Sequence, residues 1–353
     1  MINFKINNSL KTFGIFTIML ALIFNSVQVI DAAKGALVLC FSTIIPSLFP
    51  FMVLSSLFVG SITDKSFRYI SKALKKVFGI SNYSAAAFIC GIVCGYPIGA
   101  KCTAELYLSG RISRSEAESL LAYANNSGPL FIIGAAGCSI LHSMKAGILL
   151  YTIHVICALS AALLLKPYTY SKSIISQSKH HKKTFTEAIC ESSVNVINVC
   201  GFIIFFAVIN TLIMPCMNVL PVWLRCIFTG IIEITNSITY TASHIHVLDT
   251  KLALIAAALG WSGLSVHMQV KSVIKETNLS MKKYYLTRAY IAVASAVLVY
   301  TVSGHTDDIV CMLPLKSMRV WGLVICAATV MCICAYMCVN KRRGKLSPSS
   351  HKN

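Results

Sequence analysis

The sequence predicts an all-α, polytopic membrane protein of about eight spanning helices plus two re-entrant helical hairpins in inverted repeats. Three observations predict it. Of 353 residues, 56% are hydrophobic and only 12% charged, with a mean hydropathy of +0.73, where a soluble domain carries about 25% charged residues. Apolar runs of about 20 residues, the length that crosses a bilayer, recur along the whole chain. Finally, the alternation of basic loops and apolar runs closes only if two of the runs turn back within the membrane.

Residues 1–84 supply the first unit. Lys5 and Lys11 precede an apolar run at 13–30 that is longer than the h-region of a signal peptide, about 7–15 residues, and no small-residue cleavage pattern ends it. It reads as an uncleaved span with a cytoplasmic N-terminus. Asp31 and Lys34 separate it from a second span at 36–60, which Pro46 and Pro50 should kink. Between 61 and 84, Phe67, Ile70, Leu74, Val77 and Phe78 fall at helical spacing among Lys65, Arg68, Lys72, Lys75 and Lys76. That pattern predicts an amphipathic helix lying on the cytoplasmic surface.

Residues 85–165 form the first repeat: a broken segment at 85–108, an apolar helix at 119–141 and a span at 147–165. Ser113-Arg-Ser-Glu116 is a capping box that opens a helix. A basic linker and a connecting span at 193–214 occupy 166–221, with Thr184 and Glu187 as the cap. The second repeat, 222–303, carries an interrupted segment at 222–241, an apolar run at 251–270 and a span at 285–303. A last span at 319–339 and a basic cytoplasmic tail complete 304–353.

The loops 61–84 and 166–184 are both basic and should both be cytoplasmic, yet three apolar segments lie between them. One cannot cross, and 85–108 holds Gly91, Gly95, Pro97 and Gly99. Residues 215–221 then lie outside and the basic loop 271–283 inside, with two segments between; again one must turn back. The interruption at Glu233-Ile-Thr-Asn-Ser237 makes 222–241 that segment. One hairpin therefore enters from each face, the mark of inverted repeats.

The formal charge of +19 does not point to nucleic acid. Its residues cluster between apolar runs, including Lys271, Lys275, Lys282, Lys283 and Arg288, with no aromatic-interleaved basic domain. The expected surface partner is the lipid bilayer. The fifteen cysteines sit mostly inside apolar runs as small hydrophobes, and no ligand spacing for a metal appears. No serine, histidine and acid stand at a catalytic spacing, so an enzyme is not expected.

Broken backbone at membrane depth is tolerated only where it is buried in protein or lines a cavity, which makes the breaks the candidate solute site. Half-helix N-termini suit anionic groups. Gly95, Tyr96, Pro97 and Gly99 provide such ends, with Lys101 beside them. Asn125, Asn126, Ser127 and Gly128 form a second break, and Ser262, Gly263, Ser265 and Gln269 its counterpart. Glu233, Thr235 and Asn236 complete the set. Glu233 admits two readings, a coupling site for a proton or cation and a structural pair with Lys101 or with N–H groups. No cofactor is called for, and a coupling proton or sodium ion stays open.

Several of these stretches resemble the YlbJ-type sporulation integral membrane proteins: Pro46-Ser-Leu-Phe-Pro-Phe51, Gly95-Tyr-Pro-Ile-Gly-Ala-Lys101, Asn126-Ser-Gly-Pro-Leu-Phe-Ile132, Gly230-Ile-Ile-Glu-Ile-Thr235 and Trp261-Ser-Gly-Leu-Ser-Val-His-Met-Gln269. The resemblance implies a nucleoside-recognition (Gate) domain similar to concentrative nucleoside transporters. It further implies movement of dipicolinic acid from the mother cell across the outer forespore membrane. The expected partner is a small aromatic or nucleoside-like anionic solute. A nucleoside or other organic-anion permease, and a non-transporting membrane scaffold for spore formation, are the alternatives. The chain departs from that pattern at Asn236-Ser237, where relatives tend to carry glycine.

Overall fold

The computed structural model describes residues 8–61, 74–165 and 184–303. Over these residues every regular element is a helix. Half of the expected surface helix at 61–84, residues 62–73, lies outside them, with 74–78 helical, and the expected span at 319–339 lies wholly outside.

Helix α1 (Asn8–Phe24) ends at Asn25, whose side-chain amide donates to the Ala21 carbonyl at 2.9 Å. Helix α2 (Ser26–Leu39) then runs straight through Asp31 and Lys34. The expected boundary at those two charges is therefore wrong. They sit three residues apart on an exposed face, where such charges leave the helical ladder intact. A π-turn at Cys40–Ile44 follows, then α3 (Ile45–Ser61). The distortion the prolines were expected to cause thus falls before Pro46, whose missing N–H and ring disturb the preceding turn.

Helices α4 (Asn82–Val93) and α5 (Ile98–Leu108) form the first hairpin, folded back on each other so that Gly91 and Gly99 touch. Helix α6 (Arg114–Tyr123) follows, capped by Ser113 accepting from the Glu116 N–H. The expected box is only half present. The Glu116 carboxylate instead accepts from the Ser81 N–H at 2.8 Å and the Ser84 hydroxyl at 2.6 Å, fastening α6 to the start of α4. An extended stretch leads to a π-helix at Leu130–Ile140, which crosses α7 (Met144–Leu164) where Gly137 meets Gly147.

Helix α8 (Phe185–Ile213) opens on a complete capping box between Thr184 and Glu187. The second hairpin is α9 (Val222–Ile232) and α10 (Ile234–His244), joined at Glu233 and pinned by the Ser237 hydroxyl donating to the Cys226 carbonyl at 3.0 Å. Helices α11 (Leu248–Trp261) and α12 (Gly263–Val273) meet at a sharp joint, and α13 (Lys282–Ser303) returns along α11. The two approach so closely that a Cβ on Gly260 would stand 2.5 Å from the Ala292 Cα, the small-residue packing that lets membrane helices touch.

Five stretches among the described residues are long and apolar enough to cross a membrane: Ser26–Ser61, Met144–Leu164, Phe185–Met217, Leu248–Val273 and Lys282–Ser303. Of the eight expected, 13–30 is divided between α1 and the start of α2, and 119–141 between α6 and the π-helix. The surface is inside-out relative to a soluble protein. Phe13, Phe24, Val27, Phe41, Ile197 and Val293 are exposed while Asn125, His154, Glu233 and Arg288 are fully buried. A patch that large and apolar is a lipid-facing one.

Candidate functional site

Each half of the chain repeats one arrangement, a hairpin whose break rests on the break of the helix that follows. In the first half Gly95 turns the hairpin with φ +83°, between α4 and the cis Tyr96–Pro97 bond. Its backbone abuts Gly128, so that a Cβ on Gly95 would lie 2.6 Å from the Gly128 nitrogen. Alongside, Gly91 and Gly99 make room for the Ala124 carbonyl at the end of α6, since a Cβ there would fall 1.5 and 2.0 Å from that oxygen. These two glycines serve close approach, and Gly95 alone serves the turn.

In the second half the break is a single residue. Glu233 is extended (φ −148°, ψ 128°), and its carboxylate caps α10 by accepting from the Asn236 N–H at 2.7 Å. The break therefore needs no glycine at Asn236-Ser237, which lie inside α10, because the capping acid Glu233 ends α9 and starts α10. Against this break sits Gly263, whose added Cβ would lie 3.2 Å from the Glu233 Cα. Ser262 and Gly263 both adopt φ +75° to make the joint.

The two hairpin breaks face one enclosed cavity. Gly95, Tyr96, Gly128 and Phe131 line it from the first half, and Glu233, Thr235, Val266 and Gln269 from the second. Thr43 and Ser47 of the α2–α3 run, with Val199 and Ile203 of α8, close it. Its volume of about 50 Å³ exceeds the minimum of about 10–15 Å³ for a water, so it takes a few small molecules or an ion.

Of the residues expected at the site, Gly95, Tyr96, Gly128, Glu233, Thr235 and Gln269 line this cavity. Asn125, Asn126 and Ser127 lie directly behind its wall, fully buried. The Ser127 N–H donates to His154 Nε2 at 3.3 Å and its hydroxyl to the Leu259 carbonyl at 3.4 Å, joining the two halves. Ser262 ends α11 and bonds its own Leu259 carbonyl at 3.2 Å, while the Gln269 amide donates to the Ser265 hydroxyl at 3.3 Å. Pro97, Gly99, Asn236 and Gly263 act through the backbone. Lys101 is elsewhere. Its ammonium, on α5, lies 3.6 Å from the Glu191 carboxylate of α8. The pairing of Lys101 with Glu233 weighed from the sequence is absent, and the N–H reading of Glu233 is the one the geometry contains.

Set beside known proteins, the chain is 28% identical to the sporulation integral membrane protein YlbJ of Bacillus subtilis (strain 168), with 76% of each chain covered. The likeness runs over most of the chain and agrees with the motif resemblance. The chain is a multi-pass integral membrane protein. No family model matches it, and no solved structure matches it either.

Sequence reading of this chain missed Arg288. Counted among the loop charges because Lys282 and Lys283 precede it, it is fully buried on α13. Its Nη2 donates to the Asn126 side-chain oxygen at 3.1 Å and to the Ala122 carbonyl at 3.4 Å. Its spacing carried a signal, for Tyr284, Ile291 and Ser295 share its helical face and are buried with it. Thr43 and Ser47 were also missed, because a π-turn rather than a regular helix turns them inward.

Proposed function

We propose that this chain is a sporulation membrane transporter that moves dipicolinic acid, an aromatic dicarboxylate, from the mother cell across the outer forespore membrane. The observation that carries the reading is the cavity shared by the Gly95–Tyr96 and Glu233–Thr235 breaks. Interrupted helices in lipid cost unsatisfied backbone groups, and a carrier is the setting in which they recur, holding a solute between two repeats. An aromatic dicarboxylate exceeds the present space of about 50 Å³, so the arrangement corresponds to a closed state whose hairpins part to load. The Tyr96 ring, tilted against Phe131 at 6.3 Å between centroids, offers a stacking face.

Glu233 constrains the reading. A carboxylate on the cavity wall repels a dianion unless a proton or a cation neutralises it, which favours uptake coupled to one of these. The same residue supports a second reading, a neutral nucleoside-like solute bonded by Glu233, Thr235 and Gln269. A scaffold needs neither the cavity nor the buried acid. The test is binding of pyridine-2,6-dicarboxylate and of nucleosides to purified protein, with spore dipicolinate content measured for Glu233→Gln. Saturable binding of the dicarboxylate and empty spores are expected. Nucleoside binding alone would move the reading to the second, and no binding with normal spores would remove transport.

A further inference from the structure

Arg288 is the one buried guanidinium in the described residues with two nitrogens unpartnered, Nε and Nη1. Its relative exposure is 0%, and no carboxylate among the described residues lies within ion-pairing distance of it. An arginine inside a membrane protein is costly without a counter-charge, and a buried unpaired charge destabilises strongly. The other buried charge of the site, Glu233, is occupied with the α10 N-terminus. Two neutral partners, the Asn126 and Ala122 oxygens, do not balance a cation.

The position of that charge is informative. Arg288 bonds Asn126, whose own carbonyl stands 3.5 Å from where a Gly95 Cβ would be. It therefore sits one layer behind the cavity wall formed by Gly95, Tyr96 and Gly128. Tyr96 and Glu233 line the same cavity. Around the guanidinium gather further buried polar groups: the free Nδ1 of His154, and Tyr284, whose hydroxyl is 3.0 Å from His267 Nδ1. His154 spends its Nε2 as acceptor for Ser127, so Nδ1 carries the proton of the neutral ring and is a donor with no acceptor. A cation with two unpartnered nitrogens and no anion beside it among the described residues is the environment that a carboxylate would complete.

We propose that Arg288 is the counter-charge for a carboxylate of the transported solute, reached when Tyr96 and the first hairpin swing away from Gly128. The assignment rests on the transport reading given above. It supplies the anion with its cation, a role Lys101 cannot fill from its place beside Glu191. The planar fork of a guanidinium suits a carboxylate with two parallel bonds.

The test uses the full-length protein in detergent, with pyridine-2,6-dicarboxylate and its neutral diamide as probes. For Arg288→Gln the expected result is a melting temperature without solute equal to or above that of the unaltered protein, because a lone charge has been removed. Dicarboxylate affinity should fall roughly tenfold or more, the loss of hydrogen bonds to a charged group, with diamide affinity unmoved. Arg288→Lys, which keeps the charge but not the fork, should fold and show an intermediate loss; if the glutamine variant does not fold, this one carries the test. Dicarboxylate affinity within about twofold of the unaltered protein, or an equal loss for the diamide, overturns the assignment. A solute-free melting temperature that falls while affinity holds makes Arg288 a structural keystone and overturns it too. Failure of the unaltered protein to bind the dicarboxylate would instead remove the transport reading, and this assignment with it.

Discussion

Gly95 and Gly128 meet backbone against backbone, and in the second half Glu233 and Gly263 meet in the same way. Each pair joins the turn of a hairpin to the joint of the helix that follows. The repeat visible in this pairing is far clearer than in the residues, because what the halves share is where the backbone is interrupted.

Glycine-to-alanine changes should grade by contact. Gly91→Ala and Gly99→Ala push a methyl into the Ala124 carbonyl, and a clash with backbone costs at least the upper part of about 1–3 kcal/mol. Both should sharply lower the yield of monodisperse protein. Gly201→Ala, with nothing within 4 Å, should be neutral or raise stability by up to about 1 kcal/mol. Thermal unfolding by intrinsic fluorescence orders the three, and an equal effect of all would contradict the packing described.

Glu233 combines a cap and a charge, which two variants separate. Glutamine retains an oxygen to accept from the Asn236 N–H, so Glu233→Gln should keep the fold and lose solute accumulation. Alanine loses the cap as well, at about 1 kcal/mol. Comparing melting temperatures with spore dipicolinate content reads the two effects apart.

Lys101 is expected to matter for stability through Glu191. Glu191→Gln leaves a buried ammonium without its carboxylate, at a cost of about 1–3 kcal/mol, while Lys101→Met removes the charge altogether and should cost less. Solute affinity should stay within about threefold in both. A larger loss of affinity for Lys101→Met than for Arg288→Gln would reverse the roles assigned to the two cations.

A set of polar bonds around the start of α13 joins the halves. Arg114 donates to the Asn278 carbonyl at 2.8 Å, the Glu118 carboxylate accepts from the Ser280 N–H at 3.1 Å, and Lys283 donates to the Ser119 hydroxyl at 2.9 Å. Burial pushes the Glu118 carboxyl up, but the Ser280 N–H and Arg114 outweigh it and hold the group below its ordinary value of 4.5. A carboxyl lowered by folding contributes stability above its unfolded pKa and loses it as pH falls through the folded one. The protection of the Ser280 amide, its exchange relative to the intrinsic rate at each pH, should therefore fall below about pH 4.5, and Glu118→Gln should abolish that pH dependence.

Reporter fusions at residues 110 and 246 test the inverted arrangement. They are expected on opposite faces, 110 inside and 246 outside; the same face for both would end the inverted-repeat reading.

The breaks were legible in the sequence because their chemistry is local. Gly95 and Pro97, Asn125 through Pro129, and Ser262-Gly263 each carry residues that stop a helix unaided. Glu233 was legible as a costly charge, but its double use as linker and cap appears only once Asn236 is placed in space. The π-turn at Cys40–Ile44 has no residue signature of its own, so Thr43 and Ser47 stayed hidden. Arg288 was obscured by Lys282 and Lys283, which made a buried guanidinium look like part of a surface cluster. The partition of Lys101 away from Glu233 depends on which face of α8 packs on α5, a tertiary fact that loop charges do not encode.

The bond from the Ser127 hydroxyl to the Leu259 carbonyl spans 132 residues of chain, and that from Arg288 to Asn126 spans 162. During synthesis the polar run Asn125–Gly128 therefore reaches the bilayer long before the groups that satisfy it exist. The polar bonding of the first half is complete only once α11 and α13 have packed against it. A chain truncated before α13 should therefore leave these polar groups unpaired and be recovered in lower yield than the full chain.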